Sequence, residues 1–482
     1  MSWSAEDISA LRISGLSEDV LAEVRGLLSV WDKHRSKNLK RNLYFDTEQA
    51  FKDLGIAMPP QLRKCNYVLG WATQAVRKPA LRSQFDGLRL AGVDDPFELG
   101  EILDANSFDL EFSQSVVSAY KHGMSLVTVA KGGPGESPVQ IIGHSAESCA
   151  ARWDKRTRRL ASALTIADVD EDGRPVEFVV YLPNAVVTCS FARGSGWSSF
   201  SQSNRTGRVL AVPVLNDPQL NRPLGRSRLT NAVMRLNDMA VRTLGRMEGN
   251  AEFYSSPQIA LLGVDYETFY GDNPMSENEK FKLAMDRLLA ISKDEDGDKP
   301  DLKQLQQATM TPHSDMMRTI AMAFSGETSL PPSSLGVIHD QPASAEAIRA
   351  AEHDLLIDAS YHNNSVHPKS VKQIMELAVM VRDNVTVVPN DMWRLSVRFI
   401  DPEFRSLSAE ADAVTKIGSA MPSLVDQPVL LERIFTADEV ERIRVDGQKS
   451  SVASLVDRIA NAQAVPQNVV DAQQAGSNNQ GA

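Results

Sequence analysis

The sequence predicts an α+β protein in which helices and strands occupy separate stretches of chain, and three observations carry that reading. Apolar residues recur at helical spacing in several segments before residue 123 and after residue 227. Between them, from about 125 to 214, the period switches to two. Between Asn221 and Glu352 the order is helix, acidic excursion, helix, Gly-Pro loop, long helix. A chain of 482 residues has room for two to four domains around such a plan.

The first helix is predicted over 17–41, with Leu21, Val24, Leu27, Leu28 and Trp31 on one face and a basic cluster, Lys33, Arg35, Lys37, Lys40 and Arg41, at its end. Residues 61–77 and 107–122 read as further helices, the latter closed by Gly123 at a C-cap position. Strand candidates follow at 126–129, 139–142, 163–166, 176–181 and 186–189, and several breaks between them are rich in Gly, Pro and Asp. Residues 194–206 read as a mobile Ser/Gly loop. A strand at 393–400 is expected to rejoin this β-rich region from far downstream.

The most legible helix spans 228–248. Leu229, Val233, Leu236, Ala240, Leu244 and Met247 form its apolar face. Arg228, Arg235, Arg242 and Arg246, spaced seven, seven and four, fall within roughly 40° of each other on another face. From Arg222 to Arg246 six arginines face one acid, a local charge of +5. From Val264 to Lys303 eleven acids face six lysines and arginines, a local charge of −5. Asp294, Glu295, Asp296 and Asp298 form an exposed turn there. A short methionine-rich helix at 313–324 comes next, then a break at Pro331, Pro332 and Gly336, then a helix over 343–361. A polar break at His362-Asn363-Asn364 and Pro368 precedes another amphipathic run with Val371, Ile374, Met375 and Ala378. Modest helices are expected at 408–419, 436–445 and 451–462, and the Gln/Asn/Gly-rich 467–482 reads as disordered.

Composition narrows the function. No run of apolar residues is long enough to span a membrane, and residues 1–16 lack the order of a signal peptide. Three scattered cysteines argue against a disulfide framework or zinc site. A net charge of −11 argues against a general nucleic-acid coat, yet suits a conduit that must let DNA pass without holding it. No catalytic constellation is visible. Gly132-Gly133-Pro134-Gly135-Glu136-Ser137 lacks the Lys of a phosphate loop and reads as a hairpin turn. His353, His362 and His367 are spaced nine and five apart, which stacks no metal ligands on one helical face. The arginine stripe has three readings: a channel face touching phosphates, a partner for carboxylates of a neighbouring subunit, or a solvated helix side. Pairing across subunits is favoured over bare lumen exposure, because an unpaired buried arginine is costly. Arg152, Lys155, Arg156, Arg158 and Arg159 read by default as a solvated turn.

Local wording then adds to order. Trp153-Asp154 with Thr157-Arg158-Arg159-Leu160 precedes the strand-rich run, and Val212-Pro213-Val214, Asn221-Arg222 and Gly225-Arg226-Ser227 lead into the arginine helix. Pro257-Gln258 and Leu262-Gly263-Val264-Asp265 follow it. Leu330-Pro331-Pro332 and Leu335-Gly336 precede Pro342-Ala343-Ser344-Ala345-Glu346-Ala347-Ile348. Over roughly residues 15 to 400 the chain resembles the portal proteins of tailed double-stranded DNA bacteriophages, of the type found in siphophages of actinobacteria.

The resemblance implies a portal-type fold assembled as a dodecameric ring. Its parts would be an α/β wing at 1–221, a stem helix at 222–255, an α/β clip at 256–312 and a second stem helix at 313–324. A tunnel loop at 325–343, a long wing helix and returning strand at 344–401, a small helical crown at 402–465 and a disordered tail at 466–482 would complete it. It implies a channel at one capsid vertex for DNA packaging and ejection, assembled in the host cytoplasm and kept in the virion. Its partners would be further copies of itself, the terminase large subunit, the head-tail connector or adaptor, major capsid and scaffolding proteins, and double-stranded DNA without sequence specificity, with no membrane. It implies no enzymatic activity, cofactor or metal. Arg228, Arg235, Arg242 and Arg246 would belong to the stem, and Gly336, Val337, Ile338, His339, Asp340 and Gln341 to the tunnel loop. Asp294, Glu295, Asp296 and Asp298 would form a docking surface on the clip. A different ring-forming virion adaptor is the alternative, and an enzyme of another kind ranks below it.

Overall fold

The computed structural model describes residues 3, 5–52, 65, 67–93, 95–254, 259–262, 288–290, 301–304, 309–336, 345–403, 407–421, 431 and 440. It is a mixed α and β structure that divides into two units, Met1–Ser83 with Phe97–Arg394, and Gln84–Pro96 with Leu395–Ala482.

In the first unit, α1 (Ala5–Ala10) leads to α2 (Glu18–Phe45). The predicted apolar stripe of α2 is its buried face, and Val24, Leu27 and Leu28 are fully enclosed. The helix runs past the basic cluster to Phe45, because its long cationic side chains keep their heads outside while the backbone continues. The second predicted helix is α3 (Trp71–Ala80). It begins later than expected: Cys65 and Tyr67–Leu69 are not helical, and the other residues before them in the predicted span lie outside the described ones. Short α4 (Gly100–Ala105) precedes α5 (Phe108–His122), which ends at Gly123 as predicted.

Two antiparallel sheets follow. One is β2 (Met124–Lys131) flanked by β3 (Val139–His144) and β9 (Ala211–Leu215). The other is the meander β4 (Cys149–Asp154), β5 (Arg159–Val169), β6 (Pro175–Tyr181), β7 (Ala185–Ala192) and β8 (Gly196–Ser203). The stripe of α2 packs on the meander, where Leu164, Phe178, Val180 and Val187 meet Leu21, Val24 and Leu28. At about 25 cal/mol per Å² of buried apolar surface, each such side chain contributes on the order of 2 kcal/mol. Strand β8 corrects an expectation. The Ser/Gly-rich stretch is ordered against β7, from Ala185↔Ser203 to Ala192↔Gly196. Serine hides the alternation, but as an edge strand β8 needs only backbone pairing and one anchor. That anchor is Trp197, tilted against Phe178 at 5.1 Å and edge-on to Trp3 at 5.8 Å.

Beyond β9 the chain forms α6 (Asn231–Tyr254) and a small sheet in which β10 (Ile259–Leu262) lies between β11 (Leu288–Ala290) and β12 (Asp301–Gln304). Then come α7 (Thr311–Thr328), α8 (Ala345–Tyr361) and α9 (His367–Asp383). The polar break at 362–366 does not separate two helices: it is a single π turn that carries α8 into α9. Pro368 fits because it sits in the first turn of α9, where a missing N–H costs nothing.

In the second unit, β1 (Phe85–Arg89) pairs antiparallel with β13 (Ser396–Phe399). The downstream strand therefore returns, but to residues 85–89 rather than to the strands between 124 and 215. Phe85 against Phe399, with ring centroids 6.3 Å apart, and the Asp86–Arg398 ion pair at 2.9 Å fix that pairing. Helix α10 (Leu407–Ala420) follows at the position expected for 408–419. The helices expected at 436–445 and 451–462 lie outside the described residues apart from Val440.

Candidate functional site

The arginine helix is set in place by a strap of backbone before it. Gly123 and Gly225 both have positive φ, at 114° and 81°. A Cβ on Gly225 would stand 2.3 Å from the Gly123 carbonyl oxygen and 2.5 Å from that of Asn216. Only two bare glycines let these chains lie so close. The amide of Asn216 donates to the Gly123 carbonyl at 3.0 Å, and that of Arg226 to the Asn216 carbonyl at 2.8 Å. Ser227 Oγ donates to the Lys121 carbonyl at 2.6 Å and accepts from the Leu229 amide at 3.0 Å. The Gly-Arg-Ser wording is thus a clamp on the C-terminal end of α5.

Arg228 is the product of that clamp, and its place corrects the predicted stripe. The helix proper begins at Asn231, so Arg228 lies before it. Its side chain turns inward, 12% exposed, and pairs with Asp358 of α8 in the same chain. Its guanidinium also sits 4.8 Å above the Tyr120 ring, a contact worth about 2 kcal/mol when shielded from water. His362, in the π turn, completes the cluster. Its Nδ1 donates to the Asp358 carbonyl at 2.9 Å, and its Nε2 accepts from the Asp217 amide at 3.4 Å. That geometry needs a neutral ring. Burial first and the nearby Arg228 second hold the His362 pKa down to about 3. His367 lies 3.2 Å from the Tyr120 hydroxyl through Nε2, and burial pushes it well below the usual histidine range. Two of the three histidines considered as metal ligands, His362 and His367, are therefore packing elements around a cation, while His353 is exposed on α8.

Above this root, α6 packs on α7. Val233, Asn237, Ala240 and Thr243 of α6 and Ile320, Ala321 and Phe324 of α7 are buried. Phe324 also meets Trp71 of α3 at 5.4 Å, and Trp71 Nε1 donates to the Leu335 carbonyl at 3.0 Å. Both helices are longer than the sequence predicted, because tertiary packing extends a helix beyond its legible apolar stripe.

Arg235 is exposed, and Arg242 and Arg246 are half-buried. None of the three forms an ion pair among the described residues. Asp238, the one acid in that basic stretch, is engaged elsewhere: it accepts from Tyr44 Oη at 2.8 Å and pairs with Lys52 at 2.8 Å. Leu236, Leu244 and Met247, predicted as apolar-face residues, are only half-buried. Met239, Met316 and Met322 are 37%, 37% and 59% exposed. A two-helix hairpin whose arginines have no ion pair among the described residues and whose methionines are partly exposed presents surface that a neighbour can cover.

Of the remaining predicted sites, Gly336 closes a 3-10 turn with φ 77°. Val337, Ile338, His339, Asp340 and Gln341, and the tetrad Asp294, Glu295, Asp296 and Asp298, lie outside the described residues. The sequence held no local signal for the partners of Arg228. Tyr120 comes from α5, far in sequence from Asp358 and His362, which stand four residues apart.

The chain is similar to several known proteins. The family model described as phage portal protein, SPP1 Gp6-like, matches residues 31–452. The portal protein of Mycobacterium phage D29 is 30% identical over 392 residues, covering 80% of this chain and 79% of the relative. That of Mycobacterium phage L5 is 28% identical over 419 residues, covering 85% of each. Among solved structures, a chain in the virion of a native gene transfer agent particle aligns with TM-score 0.39 and 13% identity over 80% of this chain and 90% of that one. A chain in the neck of the native particle computed with C12 symmetry aligns with TM-score 0.38 and 14% identity over 80% and 95%.

Proposed function

The chain belongs to the SPP1 Gp6-like family of phage portal proteins, and from that premise we propose that twelve copies close into a ring around a DNA channel at one vertex of the capsid. In this reading residues 1–221 and 344–401 form the wing, 222–255 and 313–324 the stem, and 256–312 the clip. Residues 325–343 form the tunnel loop, 402–465 the crown and 466–482 a free tail. Double-stranded DNA passes through the channel during packaging and ejection without being read, because phosphate contacts carry no sequence information. The clip receives the terminase large subunit during packaging and the head-tail connector afterwards, while the wing meets capsid and scaffolding proteins. The protein does no catalysis of its own, and nucleotide hydrolysis is left to the motor.

The observation that carries this reading is the α6–α7 hairpin. Its root is locked by Arg228, and its flanks carry three arginines with no ion pair among the described residues and three methionines that are 37–59% exposed. Such a hairpin gains most of its burial only when copies stand side by side, and copies repeating one head-to-tail contact close into a ring. Among the described residues no helix is long and apolar enough to cross a membrane.

Electron microscopy and mass photometry of the purified full-length chain test this. Closed rings with a central channel are expected. A chain that stays monomeric at micromolar concentration over a range of salt overturns the assembly.

A further inference from the structure

The turn between β4 and β5 carries cations that neither the fold nor the proposed ring uses. Arg152 pairs with Glu23, and Arg159 shares Glu376 with Arg208, at 3.4 and 2.7 Å. Asp154, the one acid between Arg152 and Arg159, is occupied by the turn itself. It accepts from the Arg156 amide at 2.9 Å and from Thr157 Oγ1 at 2.6 Å. Lys155, Arg156 and Arg158 remain exposed, with no ion pair among the described residues. Arg158 has φ 53°, in the left-handed region that favours glycine, yet the position holds a long cation.

Beside that turn a groove of about 730 Å³ opens between the turn, the strap after β9 and the N-terminal end of α9. Lys155, Arg158 and Lys369 line it, and no carboxylate does among the described residues. Lys369 is exposed too, and it has no ion pair among the described residues. The apolar side of the groove is Trp153, Leu220 and Tyr361. Leu220 is 91% exposed, more than any other large apolar side chain among the described residues. A closed turn holds it there: the amides of Gln219 and Arg222 each donate to the other's carbonyl, at 3.1 and 2.9 Å. A leucine fixed in water beside a half-buried tryptophan is surface set for a contact.

Charge decides what covers it. Three cations without a countercharge, on a chain of net charge −11, attract acidic partners and repel basic ones. Phosphates of duplex DNA would satisfy the cations but gain nothing from the leucine and the two aromatic rings. A polypeptide satisfies both, with carboxylates for the rim and an apolar side chain for the floor. We propose that the groove takes a short acidic segment of a second protein. One bulky apolar side chain of that segment lies against Leu220, Trp153 and Tyr361, and its carboxylates face Lys155, Arg158 and Lys369. This goes beyond the ring reading, because the occupant is another protein and not a further copy of the chain.

Fluorescence anisotropy on the full chain tests this with synthetic peptides as probes. The acidic probe has a central tryptophan flanked by three glutamates on each side. It should bind, and glutamine in place of the glutamates, or alanine in place of the tryptophan, should each weaken binding about tenfold. In the chain, Arg158→Glu and Leu220→Ser should do the same, both at exposed positions and with folding checked by circular dichroism. A probe with lysines in place of the glutamates should regain binding to Arg158→Glu combined with Lys369→Glu. Arg193→Glu, in the turn after β7 at the opposite end of the meander, should change nothing. No binding of the acidic probe at millimolar concentration overturns the inference. So does a labelled DNA duplex that displaces the probe and is lost with Arg158→Glu but not with Leu220→Ser, since the cations then serve nucleic acid. Binding to the unassembled chain but not to closed rings also overturns it, because a neighbouring copy then covers the groove. Each of these outcomes leaves the ring reading standing. A chain that forms no rings removes that reading, while probe binding still decides this one.

Discussion

Arg228 and Asp358 stand 130 positions apart in the chain and form an ion pair at the root of the arginine helix. The pair joins α6 to α8, and the Tyr120 ring under the guanidinium adds α5. Three elements that the sequence presents separately are thus tied at one cation.

Arg228→Ala should therefore be costly. It strands Asp358 and removes the cover of Tyr120, with a loss on the order of 3 kcal/mol. Asp358→Asn keeps a hydrogen-bond acceptor and should cost about 1 kcal/mol. Denaturant unfolding of the two variants measures both, and equal, negligible shifts would refute the anchoring role.

His362 gives the cluster a pH signature. Its folded pKa, about 3, lies below the ordinary 6.5, so the unfolded chain binds the extra proton. Its contribution to stability is complete above about pH 6.5 and drains away as pH falls toward 3. His362→Gln should flatten the wild-type fall in melting temperature across that window. A variant that loses stability as steeply as the parent contradicts the neutral-ring assignment.

Arg235 and Arg242 separate a structural from a guiding role. Both side chains reach solvent in the single chain, so Arg235→Ala with Arg242→Ala should change its unfolding free energy by less than about 0.5 kcal/mol. Pairing with carboxylates of an adjacent copy predicts weakened rings by mass photometry. Intact rings with altered packaging assign the face to DNA instead, and a double variant that assembles and packages normally sinks both roles.

For the clip, replacing Asp294, Glu295, Asp296 and Asp298 with their amides should weaken terminase binding at physiological salt while rings persist. Binding unchanged in a pull-down or by interferometry rejects the docking role.

For the tunnel loop, removing residues 337–341 should impair packaging or retention of DNA far more than ring assembly. DNase-protected DNA per particle is the readout, and a normal yield from the deleted protein rejects a lumen contact.

The sequence by itself determined the periodic elements, because periodicity is a local property. The α2 stripe from Leu21 to Trp31, the Gly123 cap, the strands around Val127, Ile141, Val179 and Val187, and the existence of an arginine helix were all legible. So was the family, through ordered fragments such as Gly225-Arg226-Ser227. The tertiary structure alone decided what depends on distant partners. It made an ordered edge strand of the serine-rich 196–203, paired residues 396–399 with 85–89, and turned a polar break into a π turn. Above all, it took Arg228 out of the stripe that its spacing suggested. Helical spacing assigns a face only to residues inside the helix. Whether Arg228 is inside depends on a clamp made by Gly123 and Asn216 and on a carboxylate 130 residues away, and no local pattern encodes that distance.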